Sequence, residues 1–148
     1  MGAVLADTNL LVYAHDPSDP VKQSKAIDVL AHLRSTGIGR LSTQTLAEFF
    51  AATTGGKKPL LPAGKAGLQV QNFASSWIVF DITSLIIIEA VRGVRIYKFS
   101  YWDSQLWATA RLNQVPAIFT EDFNIGATIE GVRFVNPFAA DFQTGEWQ

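Results

Sequence analysis

Residues 3–9 of this chain read Ala3-Val4-Leu5-Ala6-Asp7-Thr8-Asn9, and this stretch decides the fold class. The first four residues are apolar without alternation, which predicts a short strand buried on both faces, as in a parallel sheet. The next three favour turns and helix N-caps, and residues 10–15 suit a short helix. A buried strand that leads directly into a helix is typical of an alternating α/β chain.

The same alternation continues to the end of the chain. Apolar spacing predicts further helices over residues 21–34, after 42–45, and over 65–76, 85–98 and 100–112, with further strands over 38–41, 78–82, 117–119 and 132–135. Together these predict a three-layer α/β sandwich, with about five strands in a mostly parallel sheet and helices on both faces. We expect one domain over residues 1–148, with residues 55–64 as a surface loop.

Composition narrows the classes of function. The 148 residues are 48% hydrophobic and 17% charged, which is a globular composition. The net charge of −1 gives no overall basic field for nucleic acid, although a local basic patch would suffice. Without cysteine, the chain can form no disulfide or thiolate site. Since no apolar run approaches the roughly 20 residues of a membrane span, we expect a cytoplasmic protein without a membrane partner.

Four carboxylates lie where predicted strands end or helices begin: Asp7, Glu48, Asp103 and Asp122. In an open α/β sheet such positions gather at the carboxyl ends of the strands, around the topological switch point. Converging acids are costly to hold together unless a cation neutralises them. Hard oxygen ligands suit Mg²⁺ or Mn²⁺, which can activate water and stabilise a phosphate in transit.

Each acid also has a purely structural explanation. Asp7 suits an N-cap. Glu48 follows Thr45 by three residues, which is the spacing of a capping box, and Asp103 stands in the same relation to Ser100. It is the joint placement of the acids that favours a common site.

The remaining motifs and residue types give weaker indications of function. The chain has no phosphate-binding or dinucleotide-binding glycine motif and no nucleophile elbow. His15 and His32 are not spaced as a ligand pair, and we expect ordinary helix residues. Aromatic residues usually indicate core, with stacking of Trp77 or Trp102 on a nucleobase as the lesser alternative.

Four stretches, taken in this order, resemble the PIN-domain nucleases, and especially the VapC-type toxins of prokaryotic toxin–antitoxin pairs. They are Leu5-Ala6-Asp7-Thr8-Asn9, Ser42-Thr43-Gln44-Thr45-Leu46-Ala47-Glu48-Phe49, Ser100-Tyr101-Trp102-Asp103-Ser104 and Phe119-Thr120-Glu121-Asp122-Phe123. The resemblance spans the whole chain. It implies an α/β sandwich and an endoribonuclease that depends on Mg²⁺ or Mn²⁺, with Asp7, Glu48, Asp103 and Asp122 as its catalytic, metal-binding acids.

The resemblance also implies supporting roles. Thr8, Asn9 and Thr120 would orient ligands or water behind the acids. The fourth motif varies within the family, so Glu121 could replace or supplement Asp122.

Partners follow from the same resemblance. It implies an RNA substrate, an antitoxin protein that inserts a segment into the active-site groove, and a homodimer. Lys57, Lys58 and Lys65 are the candidates for RNA contact, with a solvated surface as the simpler explanation for each. Phosphate contacts of this kind carry no sequence choice.

Three other classes remain open. A PIN nuclease of RNA processing would share the site without being a toxin. A receiver-like Mg²⁺-binding signalling domain would need two acids near the first strand, a phosphorylatable aspartate after the third and a lysine after the fifth; here Asp7 stands alone and no lysine follows Val132. The third is a binding module that keeps the fold without catalysis.

Overall fold

The computed structural model describes residues 2–148, and its centre is a six-stranded sheet. The strands are β1 Val4–Ala6, β2 Gly39–Ser42, β3 Ile78–Phe80, β4 Ala117–Phe119, β5 Thr128–Ile129 and β6 Val132–Val135. Their order is β3-β2-β1-β4-β6-β5. All neighbouring pairs are parallel except β5 and β6, which are antiparallel. The predicted mostly parallel α/β sheet is therefore confirmed.

The prediction of five strands missed β5. This strand has two residues, too few for a recognisable apolar pattern, and it pairs with β6 through a tight turn. The two central residues of that turn, Glu130 and Gly131, have φ values of 48° and 83°. Two successive positive φ values are what a type I′ hairpin turn requires. Glutamate is not a typical first residue for such a turn, so the sequence signal was weak.

All six predicted helices are present, with ends shifted by a few residues. They are α1 Thr8–Tyr13, α2 Pro20–Thr36, α3 Thr43–Thr54, α4 Ala63–Ser76, α5 Ser84–Tyr97 and α6 Tyr101–Leu112, followed by a short 3₁₀ turn at Thr144–Glu146. Residues 55–62, between α3 and α4, form the predicted loop.

Side-chain caps determine where several helices begin. Ser42 caps α3 and forms a reciprocal capping box with Thr45, while Ser100 caps α6 by accepting a hydrogen bond from the Asp103 N–H. Glu48 lies a turn further into α3. The capping-box role considered for Glu48 is therefore wrong.

Two hydrophobic cores lie on opposite faces of the sheet. Alternate residues of β1 point to each: Val4 and Ala6 belong to the core beneath α1, α2 and α3, whereas Leu5 belongs to the core beneath α5 and α6. Side chains of a strand alternate between faces, so these three residues connect both layers of helices. This is the three-layer sandwich that the sequence predicted.

Among residues 2–148, no helix is long and apolar enough to cross a membrane.

Candidate active site

The site begins where β1 and β4 lie side by side. The chain runs outward from β1 through β2 to β3 and returns to β4 on the other side of β1, so the topology reverses between these strands. The Asp7 N–H donates to the carbonyl oxygen of Phe119 at 2.9 Å. Asp7 and Thr120, the residues directly after the two strands, are thereby brought together at the place where open α/β sheets bind ligands.

Asp7 is held by two hydrogen bonds. The Thr8 N–H donates to Oδ1 at 2.7 Å, and the hydroxyl of Thr120, which is fully buried, donates to Oδ2 at 2.8 Å. The carboxylate caps α1, as its sequence position suggested. The cap and the buried threonine fix the orientation of Asp7 at the mouth of the sheet.

Glu48 reaches the same place from α3. The Thr8 hydroxyl donates to Glu48 Oε1 at 2.9 Å, and the Gln44 side-chain amide donates to the same oxygen at 3.3 Å. Thr8 therefore contacts both acids, Asp7 through its N–H and Glu48 through its hydroxyl. Thr8 thereby links Asp7 to Glu48, which lies 40 positions after Thr8 in the chain.

Asp103 approaches from the first turn of α6. Its negative charge and that of Glu48 both act on Asp7. The start of α6 and α3 therefore each place an acid within electrostatic range of Asp7 at the end of β1.

The environment of Asp7 disfavours its charge. Burial, with smaller contributions from the charges of Glu48 and Asp103, raises the pKa of Asp7 from its ordinary 3.8 to about 6, although the hydrogen bonds from Thr120 and Thr8 lower it. A desolvated carboxylate beside two other acids is stabilised by any cation that joins them.

Asn9 provides a second feature that fits a bound cation. Its Oδ1 is buried, and of all the buried side-chain oxygen and nitrogen atoms of residues 2–148 it alone has no hydrogen-bond partner. An unpartnered buried acceptor is costly. Asn9 lines a groove together with Asp7, Thr8, Val12, Tyr13, Glu48 and Ala52. A cation or its water molecules in this groove would satisfy the amide oxygen.

The residues fit a hydrated divalent ion better than a closed metal cage. Within the described part of the chain, no three carboxylate or imidazole side chains are close enough to enclose a metal ion by themselves. Mg²⁺ binds through one or two carboxylates and keeps several waters. The pairing of Asp7 with Glu48, with Asp103 nearby, suits that mode of binding.

Glu121 and Asp122 have different surroundings. Glu121 accepts a hydrogen bond from the Tyr13 hydroxyl at 2.8 Å and forms an ion pair with Lys22. Asp122 is exposed. Sequence reasoning missed Tyr13 and Lys22, because neither residue belongs to a motif and both meet Glu121 only through the fold.

The predicted RNA-contacting lysines all lie on the surface. Lys57 and Lys58 are exposed in the loop after α3, and Lys65 is exposed in the first turn of α4. The loop is anchored by the Leu61 N–H, which donates to the carbonyl oxygen of Thr53 at 3.0 Å. Their contact with RNA stays a prediction.

Several solved structures have the same fold. VapC20 of Mycobacterium tuberculosis, a sarcin-ricin loop cleaving toxin, has a TM-score of 0.67 at 14% identity, over 86% of this chain and 98% of that one. A toxin–antitoxin complex from Klebsiella pneumoniae has a TM-score of 0.66 at 21% identity, over 91% and 98%. FitAB bound to an IR36 DNA fragment has a TM-score of 0.69 at 19% identity, over 95% and 99%.

Comparison with protein-family models and with curated protein sequences finds no match. The structural likeness confirms the fold that the PIN-domain resemblance implied: the chain has the fold of VapC-type toxins. At these sequence identities the likeness establishes the fold alone.

Proposed function

We propose that this chain is a metal-dependent endoribonuclease and the toxin of a toxin–antitoxin pair. The observation that carries the proposal is the meeting of Asp7, Glu48 and Asp103 at the switch point of the sheet, beside the unpartnered oxygen of Asn9. The neighbours of the same fold add support, since one is a toxin that cleaves the sarcin-ricin loop and another is a toxin–antitoxin complex.

Asp7, Glu48 and Asp103 would hold the ion, Mg²⁺ or Mn²⁺, together with water molecules that complete its coordination. When bound, such an ion supplies an activated water and neutralises charge on the phosphate. Thr8 and Thr120 keep Asp7 oriented through their hydrogen bonds. These contacts pre-organise the acids, so that little rearrangement is needed when substrate arrives.

The fourth acid is Asp122 in this proposal, with Glu121 in a supporting position. Glu121 is engaged by Tyr13 and Lys22, so recruiting it to a metal would break an ion pair and a hydrogen bond. Asp122 carries no such cost, because it is exposed in the same turn.

The partners in this proposal are RNA and an antitoxin, together with a second copy of the chain. A helix face with exposed apolar residues is available for self-association on α5: Leu85, Ile87, Ile88, Val91 and Ile96. Exposed apolar residues grouped on one helix are candidates for an interaction site.

The test is cleavage of RNA by the purified protein. We expect cleavage with Mg²⁺ or Mn²⁺, none with chelator, and a loss of about 100-fold or more in Asp103→Asn. Asp28→Asn removes the same charge from an exposed position on α2 and should cleave normally. Full cleavage by folded Asp103→Asn would refute the site.

The same assay decides the fourth acid. Asp122→Asn should lose activity, whereas Glu121→Gln should keep it while unfolding at a slightly lower temperature. The reverse pattern would assign the fourth position to Glu121.

The receiver-like alternative makes a separate prediction. Incubation with acetyl phosphate and Mg²⁺ would produce an acyl-phosphate on the chain, detectable by mass spectrometry as an added phosphoryl group. We expect none, because the acid pair after the first strand and the late lysine of a receiver are both lacking: Asp7 stands alone and no lysine follows Val132.

A further inference from the structure

Trp102 is exposed beside the acids, which is unusual for so large an apolar side chain. It leaves 61% of its surface accessible, whereas Trp107 and Trp147 are buried. It is the residue directly before Asp103, in the first turn of α6. An indole held at the surface next to a candidate active site has an aromatic face available for a ligand.

A shallow groove lies against this indole and is lined by Gln44, Ala47, Glu48, Ala51, Trp102 and Gln105. Ala47 and Ala51 are four residues apart and lie on one side of α3. Because both side chains are single methyl groups, they leave room for a flat group between α3 and the indole. We call this groove the Trp102 slot.

The walls of the Trp102 slot are connected by hydrogen bonds. The amide of Gln44 donates to the carbonyl oxygen of Trp102 at 3.1 Å and accepts from the amide of Gln105 at 2.9 Å. The Tyr101 hydroxyl donates to Gln105 at 2.8 Å, and the Tyr101 ring meets the indole edge-to-face at 5.1 Å. The slot is therefore formed before any ligand binds.

The slot adjoins the acidic groove. Glu48 lines both, and the Gln44 amide donates to Glu48 as well as to Trp102. A phosphate bound at the acids would thus place its neighbouring nucleotide at the slot. An uncharged base is not repelled by these acids, and its flat apolar face matches indole and methyl walls.

We propose that the Trp102 slot holds the base of a nucleotide next to the scissile phosphate, stacked on the indole of Trp102. This assignment rests on the proposed ribonuclease function. It makes Trp102 a residue that binds substrate and favours unpaired nucleotides, because a base within a duplex cannot enter the slot.

The first experiment uses synthetic single-stranded 12-nucleotide RNAs of random sequence, with cut positions mapped by sequencing the ends. Trp102→Ala should raise KM by roughly ten-fold, the effect of one base–aromatic stack, with kcat nearly unchanged. Trp102→Phe should recover most of the loss. Leu112→Ala removes an exposed apolar side chain at the other end of α6 and should behave as wild type.

The second experiment separates stacking from other effects. A cleaved 12-mer is resynthesised with an abasic residue on either side of the cut. One of the two abasic RNAs should be cleaved by the wild type with a KM roughly ten-fold higher than the intact RNA, whereas the KM of Trp102→Ala should not rise further. An equal penalty in both proteins would overturn the proposal. So would a change of Trp102→Ala from dimer to monomer in sedimentation, which would assign the indole to a contact between copies.

If the wild type cleaves none of these RNAs, the proposed function fails and binding alone tests the slot. Tryptophan fluorescence should then be quenched by a 12-nucleotide oligoadenylate but not by an abasic 12-mer with the same phosphates. Trp102→Phe should abolish the quenching. Equal quenching by the two oligonucleotides, or unchanged quenching in Trp102→Phe, would refute base stacking.

Discussion

The surroundings of Asp7 suit a bound cation but lower the stability of the metal-free protein when Asp7 is ionised. It is buried beside two other carboxylates, and its pKa is raised to about 6. A carboxyl with a raised folded-state pKa adds stability below its unfolded pKa of 3.8, and this contribution is lost as pH rises through about 6. At neutral pH the ionised Asp7 therefore weakens the metal-free fold.

We predict that Asp7→Asn raises the stability of the metal-free protein at pH 7.5. The shift from 3.8 to about 6 corresponds to at most about 3 kcal/mol, or several degrees in Tm for a chain of this size. The gain should vanish near pH 4, where Asp7 is protonated. Thermal unfolding in EDTA at both pH values measures it.

Divalent ions should reduce or reverse the difference in Tm between the wild type and Asp7→Asn. Mn²⁺ should raise the Tm of the wild type, because a ligand of the native state stabilises it, and should raise that of Asp7→Asn much less. No shift in the wild type would favour a binding module without catalysis.

At the scale of elements, the close packing of α5 on α6 places the start of α6, and with it Asp103. Gly93 lies at the closest approach: a methyl group there would come within 2.3 Å of Ser104 Oγ and 2.9 Å of the Trp107 ring. The Ser104 hydroxyl also donates to the carbonyl oxygen of Ala90 at 2.6 Å. Glycine has a low helix propensity, yet α5 continues through Gly93 because the close contact leaves no room for a side chain.

We predict that Gly93→Ala destabilises the protein by about 1–3 kcal/mol, the usual range for overpacking a core. Gly67→Ala is the matched control, since Gly67 lies within α4 with nothing near its position. That change should stabilise by about 0.5–1 kcal/mol through helix propensity. Urea unfolding of both variants measures the difference, and a neutral Gly93→Ala would disprove the close contact.

At the scale of the whole molecule, the exposed face of α5 is where we expect two copies to meet. Ile88 and Leu85 leave 66% and 68% of their surfaces accessible. We predict that the wild type is a dimer by light scattering and that Ile88→Asp is a monomer, because a charge cannot be buried unpaired at an apolar interface. Val21→Asp, on the exposed surface of α2, is the control and should leave the dimer intact. A monomeric wild type would exclude the homodimer.

Local interactions explain how much of the fold could be predicted. The buried strand before Asp7, the caps at Ser42 and Ser100, and the end of α2 at Gly37, which has a φ of 75°, all depend on residues a few positions apart. Such signals are legible in one sequence, and they place six helices and five strands correctly. The hairpin at Glu130 and Gly131 was not predicted, because its turn requires a positive φ at Glu130 and glutamate rarely occupies such a position.

By itself, the sequence determined the alternation of strands and helices, the order of the four acidic motifs and the positions where acids lie at element ends, since these follow from short-range propensity and capping. Only the tertiary structure decided which side chains meet. It bridged Asp7 to Glu48 through Thr8, paired Glu121 with Lys22, and left Trp102 exposed beside the acids. The physical reason is that such contacts join residues far apart in the chain, and the packing of helices on the sheet sets their distances.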